Sequence, residues 1–240
     1  MGQAYFVTGT GTEIGKTAAT TLLYLSLTAM GKRVTIFKPF QTGLNHTNHT
    51  YPDISWYDEL LGLKDCGMYM LEPETSPHLA IKLAGERIDE QRIIDHIQSL
   101  KEEYDIVLVE GAGGIAVPLI EHETHFYMTA DLIKDCGLPV IFVSASGLGS
   151  IHHVLATQSY TAMRNIEIKT IIFNFYQHEN MIHRDNVETI AKLTALKPLL
   201  CIPAFNNVKD DLPGYTHTLL ENPNYIQQLK EVFFNAYPIH

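Results

Sequence analysis

The chain has 240 residues, 45% of them hydrophobic and 18% charged, enough for one α/β domain spanning 1–240 with a full core and too apolar for a chain that stays disordered. Its 17 basic and 27 acidic residues leave a net charge of −10 with no basic run, which argues against a nucleic-acid partner. Cys66, Cys136 and Cys201 are far apart and form no C-x-x-C pair, against a disulfide framework or zinc site, and with no leader and no apolar run near ~18 residues a cytoplasmic protein away from membranes is expected.

Short β-branched or apolar runs recur at 5–7, 34–37, 106–109, 140–143, 170–173 and 199–202. Between them, helices are predicted at 16–30, 90–103, 151–165 and 186–196, with Gly31 ending the first and Pro198 following the last. A further helical pattern runs from 225 to 236, with Ile226, Leu229, Val232 and Phe233 on one face. Lys230 is its only basic residue, so it reads as a docked terminal helix rather than a membrane anchor. The polar stretches 45–52 and 122–125 read as loops. Runs such as Ile106-Val107-Leu108-Val109, apolar at every position, belong to strands covered on both faces. The expected architecture is a three-layer α/β/α sandwich on a mostly parallel sheet.

Immediately after the first strand, Gly9-Thr10-Gly11-Thr12-Glu13-Ile14-Gly15-Lys16-Thr17 opens the first helix, so backbone N–H groups and a helix N-terminus converge where a polyphosphate could sit. The strict phosphate-loop pattern places glycine where Thr10 stands, with Gly9 one position earlier, so the loop is a variant. Its chemistry is complete: Lys16 can reach the β- and γ-phosphates, and the Thr17 hydroxyl can ligate Mg²⁺. A glycine-rich turn with no ligand is the bland alternative, and Gly-Lys-Thr opening a helix behind an N-terminal strand makes it the weaker one.

The third strand ends in Glu110 followed by Gly111-Ala112-Gly113-Gly114, a carboxylate at the sheet's carboxyl edge beside backbone that a ligand can approach closely. Magnesium needs few protein oxygens, so Thr17, Glu110 and one further carboxylate would suffice, with Asp53 the candidate. Taken alone, Asp53 after Pro52 reads equally as a helix N-cap, and Lys38 at a strand end as a side chain reaching solvent.

Three ordered segments go beyond a generic phosphate loop: 5–17, then Lys38-Pro39-Phe40-Gln41-Thr42-Gly43, then Val109-Glu110-Gly111-Ala112-Gly113-Gly114. With Thr75-Ser76-Pro77-His78, Leu148-Gly149-Ser150-Ile151, Asn174 and Ile202-Pro203, the set resembles the dethiobiotin synthetase family of P-loop enzymes from Tyr5 to about Phe205. The resemblance implies ATP-dependent joining of 7,8-diaminononanoate and CO₂ into dethiobiotin, with ADP and phosphate released, through a phosphorylated carbamate. It makes Lys38 and Lys16 catalytic, and Thr17, Asp53 and Glu110 the magnesium ligands. ATP would lie against Glu13, Ile14, Gly15, Lys16, Thr17, Ala18, Asp53, Glu110, Gly111, Ala112 and Gly113, with its base at Asn174 and Pro203-Ala204-Phe205. The diamine would meet Thr12, Thr42 and Pro77, and its carboxylate would meet Gly149, Ser150, Ile151 and His152 from the second subunit of a homodimer. The chain departs from some members in having Phe175 after Asn174, where Asp often stands, and His152 in place of Asn.

A partitioning-type switch ATPase shares this fold class but carries a signature lysine where this chain has Gly11, and a basic C-terminal helix that it lacks. Asn174-Phe175-Tyr176-Gln177 lacks the guanine-reading Asn-Lys-x-Asp pattern, which disfavours a GTPase, and no room remains after residue 205 for a glutaminase domain. The pairs His46/His49 and His122/His125 read as solvated loops rather than metal ligands, and Trp56 and Tyr57 as packing residues.

Overall fold

The computed structural model describes residues 1–234. In chain order its elements are β1 (Gln3–Gly9), α1 (Lys16–Ala29), β2 (Val34–Thr42), α2 (Pro52–Leu61), β3 (Gly67–Leu71), α3 (Pro77–Ala84), α4 (Glu90–Glu103), β4 (Ile106–Gly114), β5 (Pro118–Glu121), β6 (Phe126–Met128), α5 (Thr129–Asp135), β7 (Val140–Ala145), α6 (Ser150–Met163), β8 (Ile168–Tyr176), α7 (Met181–Thr194), β9 (Pro198–Pro203), α8 (Val208–Leu220) and α9 (Pro223–Phe233).

Seven strands form one parallel sheet in the order β3-β2-β4-β1-β7-β8-β9, and β5 and β6 form a separate antiparallel hairpin. Both faces of the sheet are covered, as the all-apolar strand runs require. In β4, Ile106 and Leu108 point into the core beneath α1, α8 and α9, while Val107 and Val109 point into the opposite core with α3, α4 and α5. A third cluster seats α6 and α7 against Phe142, Ile171 and Phe173. The expected three-layer α/β/α architecture is the one observed.

All six predicted strands are present, and most run further than their apolar centres suggest: β2 continues through Lys38 to Thr42 and β4 through Glu110 to Gly114. Helix α4 has the predicted bounds, α1 ends one residue early, α6 runs from Ser150 to Met163 rather than 151–165, and α7 begins at Met181, five residues before the predicted start. Asn180 caps α7, its side chain accepting the Ile182 N–H.

The short helices α2, α3 and α5, the strand β3 and the β5–β6 hairpin were outside the predicted elements, as was α8. In α8, Pro213 and Gly214 interrupt the helical signal from within. The loop expected at 45–52 holds to Tyr51, a single bridge tying Asn45 to Thr50, and Pro52 already opens α2. Residues 122–125 form the turn between β5 and β6.

Helix α9 docks as expected, although Asn235 and Ala236, the end of its predicted span, lie outside the described residues. Phe233 is buried, its ring edge-on to Tyr5 of β1 at 4.7 Å, and Ser26 of α1 hydrogen-bonds Tyr225 at 2.9 Å. Truncating an aromatic so enclosed costs on the order of 3 kcal/mol. Phe233→Ala is therefore expected to lower the unfolding free energy by about that amount, read as a reduced urea midpoint at unchanged slope.

Candidate functional site

The site lies at the carboxyl edge of the sheet, where strand register and side-chain parity bring distant residues together. Phe37 of β2 pairs with Val109 of β4, so Lys38 and Glu110 follow side by side. Because side chains alternate along a strand, both point to the face of Ile36 and Leu108, toward α1 and α2.

Glu110 is fully buried and Lys38 is 3% exposed. The Lys38 ammonium is 2.6 Å from Glu110 Oε1 and 2.5 Å from Asp53 Oδ2. Lys38 therefore does not reach for solvent. Burial by itself would lower its pKa, but the combined field of Glu110 and Asp53 outweighs burial and holds it above the ordinary lysine range, so the ammonium stays charged. Asp53 shows the same balance in reverse: burial would raise its pKa, and Lys38, with help from Thr17 and Lys16, holds it below the usual range. Nor does Asp53 cap a helix, since the N-cap of α2 is Tyr51 and Asp53 sits in the first turn with its carboxylate turned inward.

Thr17, the second residue of α1, places its Oγ1 3.0 Å from Asp53 Oδ1 and 3.2 Å from Glu110 Oε1. A hydroxyl and two carboxylates converging in this way form a small set of hard oxygen donors, the kind Mg²⁺ takes when phosphates and water complete its shell. No group of three or more His, Cys, Asp or Glu that could hold a metal by itself occurs among the described residues.

The loop between β1 and α1 has its Thr10 N–H bonded to the Val143 carbonyl, and its Lys16 ammonium returns to the Gly11 carbonyl at 2.8 Å. Glu13 and Gly15 both adopt positive φ, 57° and 85°, the left-handed backbone conformation from which anion-binding concavities of N–H groups are built. Gly15 is required there for a second reason: a Cβ would lie 1.8 Å from Asn174 Nδ2. Burial lowers the pKa of Lys16, partly opposed by Glu110.

These groups line a cavity of about 1070 Å³, together with Thr12, Glu13, Thr42, Pro77, Gly111, Ala112 and Gly113 among the residues predicted for ATP or substrate. Gln41 and Tyr160 also line it, and Gln41 Oε1 and the Tyr160 hydroxyl are buried without a hydrogen-bond partner among the described residues. Tyr160 has no role legible in the sequence, and Gln41 stands there only as part of the segment 38–43, without a role of its own.

A second cavity, about 290 Å³, adjoins the first and shares Gly15, Thr17 and Asp53 with it. Its walls include Ala18, Trp56, Asn174, Pro203 and Phe205. Asn174 gives one amide hydrogen to the Ile14 carbonyl at 3.0 Å, leaving its other hydrogen and Oδ1 for a ligand.

Some predicted residues fall elsewhere. Ile14 packs into the core beneath α1, and Ala204 lines neither cavity. Gly149, Ser150, Ile151 and His152 open α6 but line neither cavity of this chain, whose cavity wall on α6 is Ala156, Thr157 and Tyr160.

The reading of Trp56 and Tyr57 as packing residues is incomplete. The Trp56 Nε1–H donates to Thr21 Oγ1 at 2.9 Å, and the Tyr57 hydroxyl donates to Glu110 Oε2. Burial, reinforced by Glu110, raises the Tyr57 pKa far above its ordinary value, so the phenol keeps its proton. Their i, i+3, i+4 spacing from Asp53 was the available signal, invisible until residues 52–61 were known to be helical.

Residues 3–211 match a family model described as an AAA domain. The chain is 47% identical over 234 residues to the ATP-dependent dethiobiotin synthetase BioD of Geobacillus sp. (strain WCH70), covering 97% of this chain and 98% of that one. It is 42% identical over 191 residues to the protein of the same description from Staphylococcus epidermidis (strain ATCC 35984 / DSM 28319 / BCRC 17069 / CCUG 31568 / BM 3577 / RP62A), covering 78% and 85%. Among solved structures, the MinC:MinD cell division protein complex of Aquifex aeolicus superposes with a TM-score of 0.59 at 16% identity, over 99% of this chain and 98% of that one, a likeness of fold.

Proposed function

The chain belongs to the ATP-dependent dethiobiotin synthetase family, and on that premise we propose that its two adjoining cavities are where ATP, CO₂ and 7,8-diaminononanoate are brought together. The overall reaction converts those three into dethiobiotin, ADP and phosphate, closing a cyclic urea. The observation that carries the site assignment is the convergence of Lys38, Thr17, Asp53 and Glu110 beside the phosphate loop.

One amine of the diamine adds to CO₂ and loses a proton, giving a carbamate. A carbamate oxygen then attacks the γ-phosphorus of ATP and ADP departs, leaving a carbamic–phosphoric anhydride. The second amine attacks the anhydride carbon and gives up a proton, phosphate leaves with the C–O bonding pair, and the ring is closed. The loop N–H groups and Lys16 bind the polyphosphate, and Lys38 offers positive charge where the carbamate and the transferring phosphoryl group carry negative charge. Thr17, Asp53 and Glu110 would hold Mg²⁺, which would supply further positive charge for phosphoryl transfer. Thr12, Thr42 and Pro77 border the diamine. The apolar second cavity receives the base between Trp56, Pro203 and Phe205, with Asn174 reading its edge.

The segment Gly149–His152 serves a second copy of the chain in a homodimer. Its support is the Gly149 helix start, whose N–H groups suit a carboxylate, and its position outside the cavities of its own chain. Among the described residues no helix is long and apolar enough to cross a membrane. Three free cysteines accord with a cytoplasmic enzyme.

The test is incorporation of labelled bicarbonate into an acid-stable product, with phosphate release followed in parallel. Label and phosphate should appear together and only when Mg²⁺-ATP and the diamine are both present; phosphate released without the diamine would indicate a bare ATPase. In the same assay, Lys38→Gln is expected to lower kcat by about 100-fold or more, with little change in ATP affinity. His152→Ala should raise the KM for the diamine about tenfold, the worth of a hydrogen bond to a charged group. An unchanged KM would remove His152 from carboxylate recognition.

A further inference from the structure

Helix α2 reaches the oxygen cluster at three points, through side chains spaced to share one helix face. Asp53 supplies a carboxylate directly, contacting Lys38 and Thr17. One turn on, Trp56 bonds Thr21, whose own hydroxyl donates to the Thr17 carbonyl at 2.7 Å, bracing the first turn of α1. Tyr57, adjacent to Trp56 and fully buried, donates its hydroxyl to Glu110 Oε2.

Glu110 stands midway along β4, and its terminal torsion is intrinsically soft, so its two oxygens could exchange places. Here they are differentiated. Oε1 faces Lys38 at 2.6 Å and Thr17 at 3.2 Å, whereas Oε2 is taken by Tyr57. Tyr57 itself lines neither cavity, so any influence it has on the reaction passes through Glu110.

We infer that Tyr57 is a positioning residue for magnesium binding: its hydroxyl fixes the rotation of the Glu110 carboxylate so that Oε1, and not Oε2, is presented beside Thr17 and Asp53. Partners of this kind behind a ligand typically change metal affinity by 10–100-fold when removed. The inference rests on the reading that Thr17, Asp53 and Glu110 hold Mg²⁺.

The experiment measures Mn²⁺ binding to the ADP-loaded protein by electron paramagnetic resonance, for wild type, Tyr57→Phe, Glu110→Gln and the double variant. Tyr57→Phe removes the donor and keeps the ring. It is expected to weaken Mn²⁺ binding about tenfold and to raise the Mg²⁺ concentration for half-maximal turnover alike. At saturating Mg²⁺, its kcat should stay within about a factor of two of wild type. Because Tyr57 acts through Glu110, Tyr57→Phe should cause no further loss once Glu110 is glutamine.

Glu110→Gln that weakens Mn²⁺ binding while Tyr57→Phe does not would overturn the role of Tyr57 alone. Equal losses from Tyr57→Phe in both backgrounds would overturn it as well, showing a general effect on packing. Glu110→Gln without effect on Mn²⁺ would bring down the metal assignment and Tyr57 with it. Should Tyr57→Phe fail to fold with an unpaired carboxylate oxygen inside, the double variant carries no such charge. Comparing it with Glu110→Gln still decides: equal Mn²⁺ affinities support the inference and a further loss refutes it.

Discussion

The Lys38 ammonium lies between Asp53 and Glu110 with almost no access to water, and the surrounding architecture is what makes that placement tolerable. A buried charge without partners costs several kcal/mol, so neither carboxylate can be lost without stranding the others. The partners come from three elements: β2 contributes Lys38, β4 contributes Glu110 and α2 contributes Asp53. Their meeting requires the parallel pairing of β2 with β4 in one register, since a slip of one residue would turn Lys38 or Glu110 to the opposite face. The ion cluster and the sheet register are thus one constraint seen from two sides.

That arrangement also explains why the edge of the sheet is suited to phosphoryl chemistry. A loop of backbone N–H groups, two lysines and a set of oxygen donors are held by rigid strands and helix starts, not by long mobile loops, so their charges are oriented before any substrate arrives. The fold alone does not choose a reaction, because the same parallel sheet and phosphate loop serve ATPases of unrelated purpose. What distinguishes this chain is the pair of adjoining cavities, one lined by the charged side chains of Lys16, Lys38, Asp53 and Glu110, the other walled by Trp56, Pro203 and Phe205.

The core strands were legible because they are short runs of β-branched or apolar residues, some, such as Ile106–Val109, apolar at every position, a pattern that few structures other than a doubly covered strand explain. The phosphate loop was legible because its chemistry is local, a few residues whose conformation follows from glycine and the start of a helix. The elements that escaped are those with mixed signals. Strand β3 is an edge strand with one paired side and only partial burial, and α8 carries Pro213 and Gly214 in its middle. Helix α2 follows a polar stretch that masks its Pro52 start, and with it went the roles of Trp56 and Tyr57.

The sequence by itself determined the layered α/β class, the glycine-rich loop that runs into the first helix at Lys16 and Thr17, and the candidacy of Glu110, because each depends on neighbours close along the chain. Only the tertiary structure decided that Asp53 is not a helix cap, that Lys38 is buried between two carboxylates, and that Tyr57 holds the far oxygen of Glu110. Those contacts span 15, 72 and 53 positions. Side chains so far apart meet only when strand register and helix docking have been set, and both are fixed by burial over the whole core, not by any local pattern.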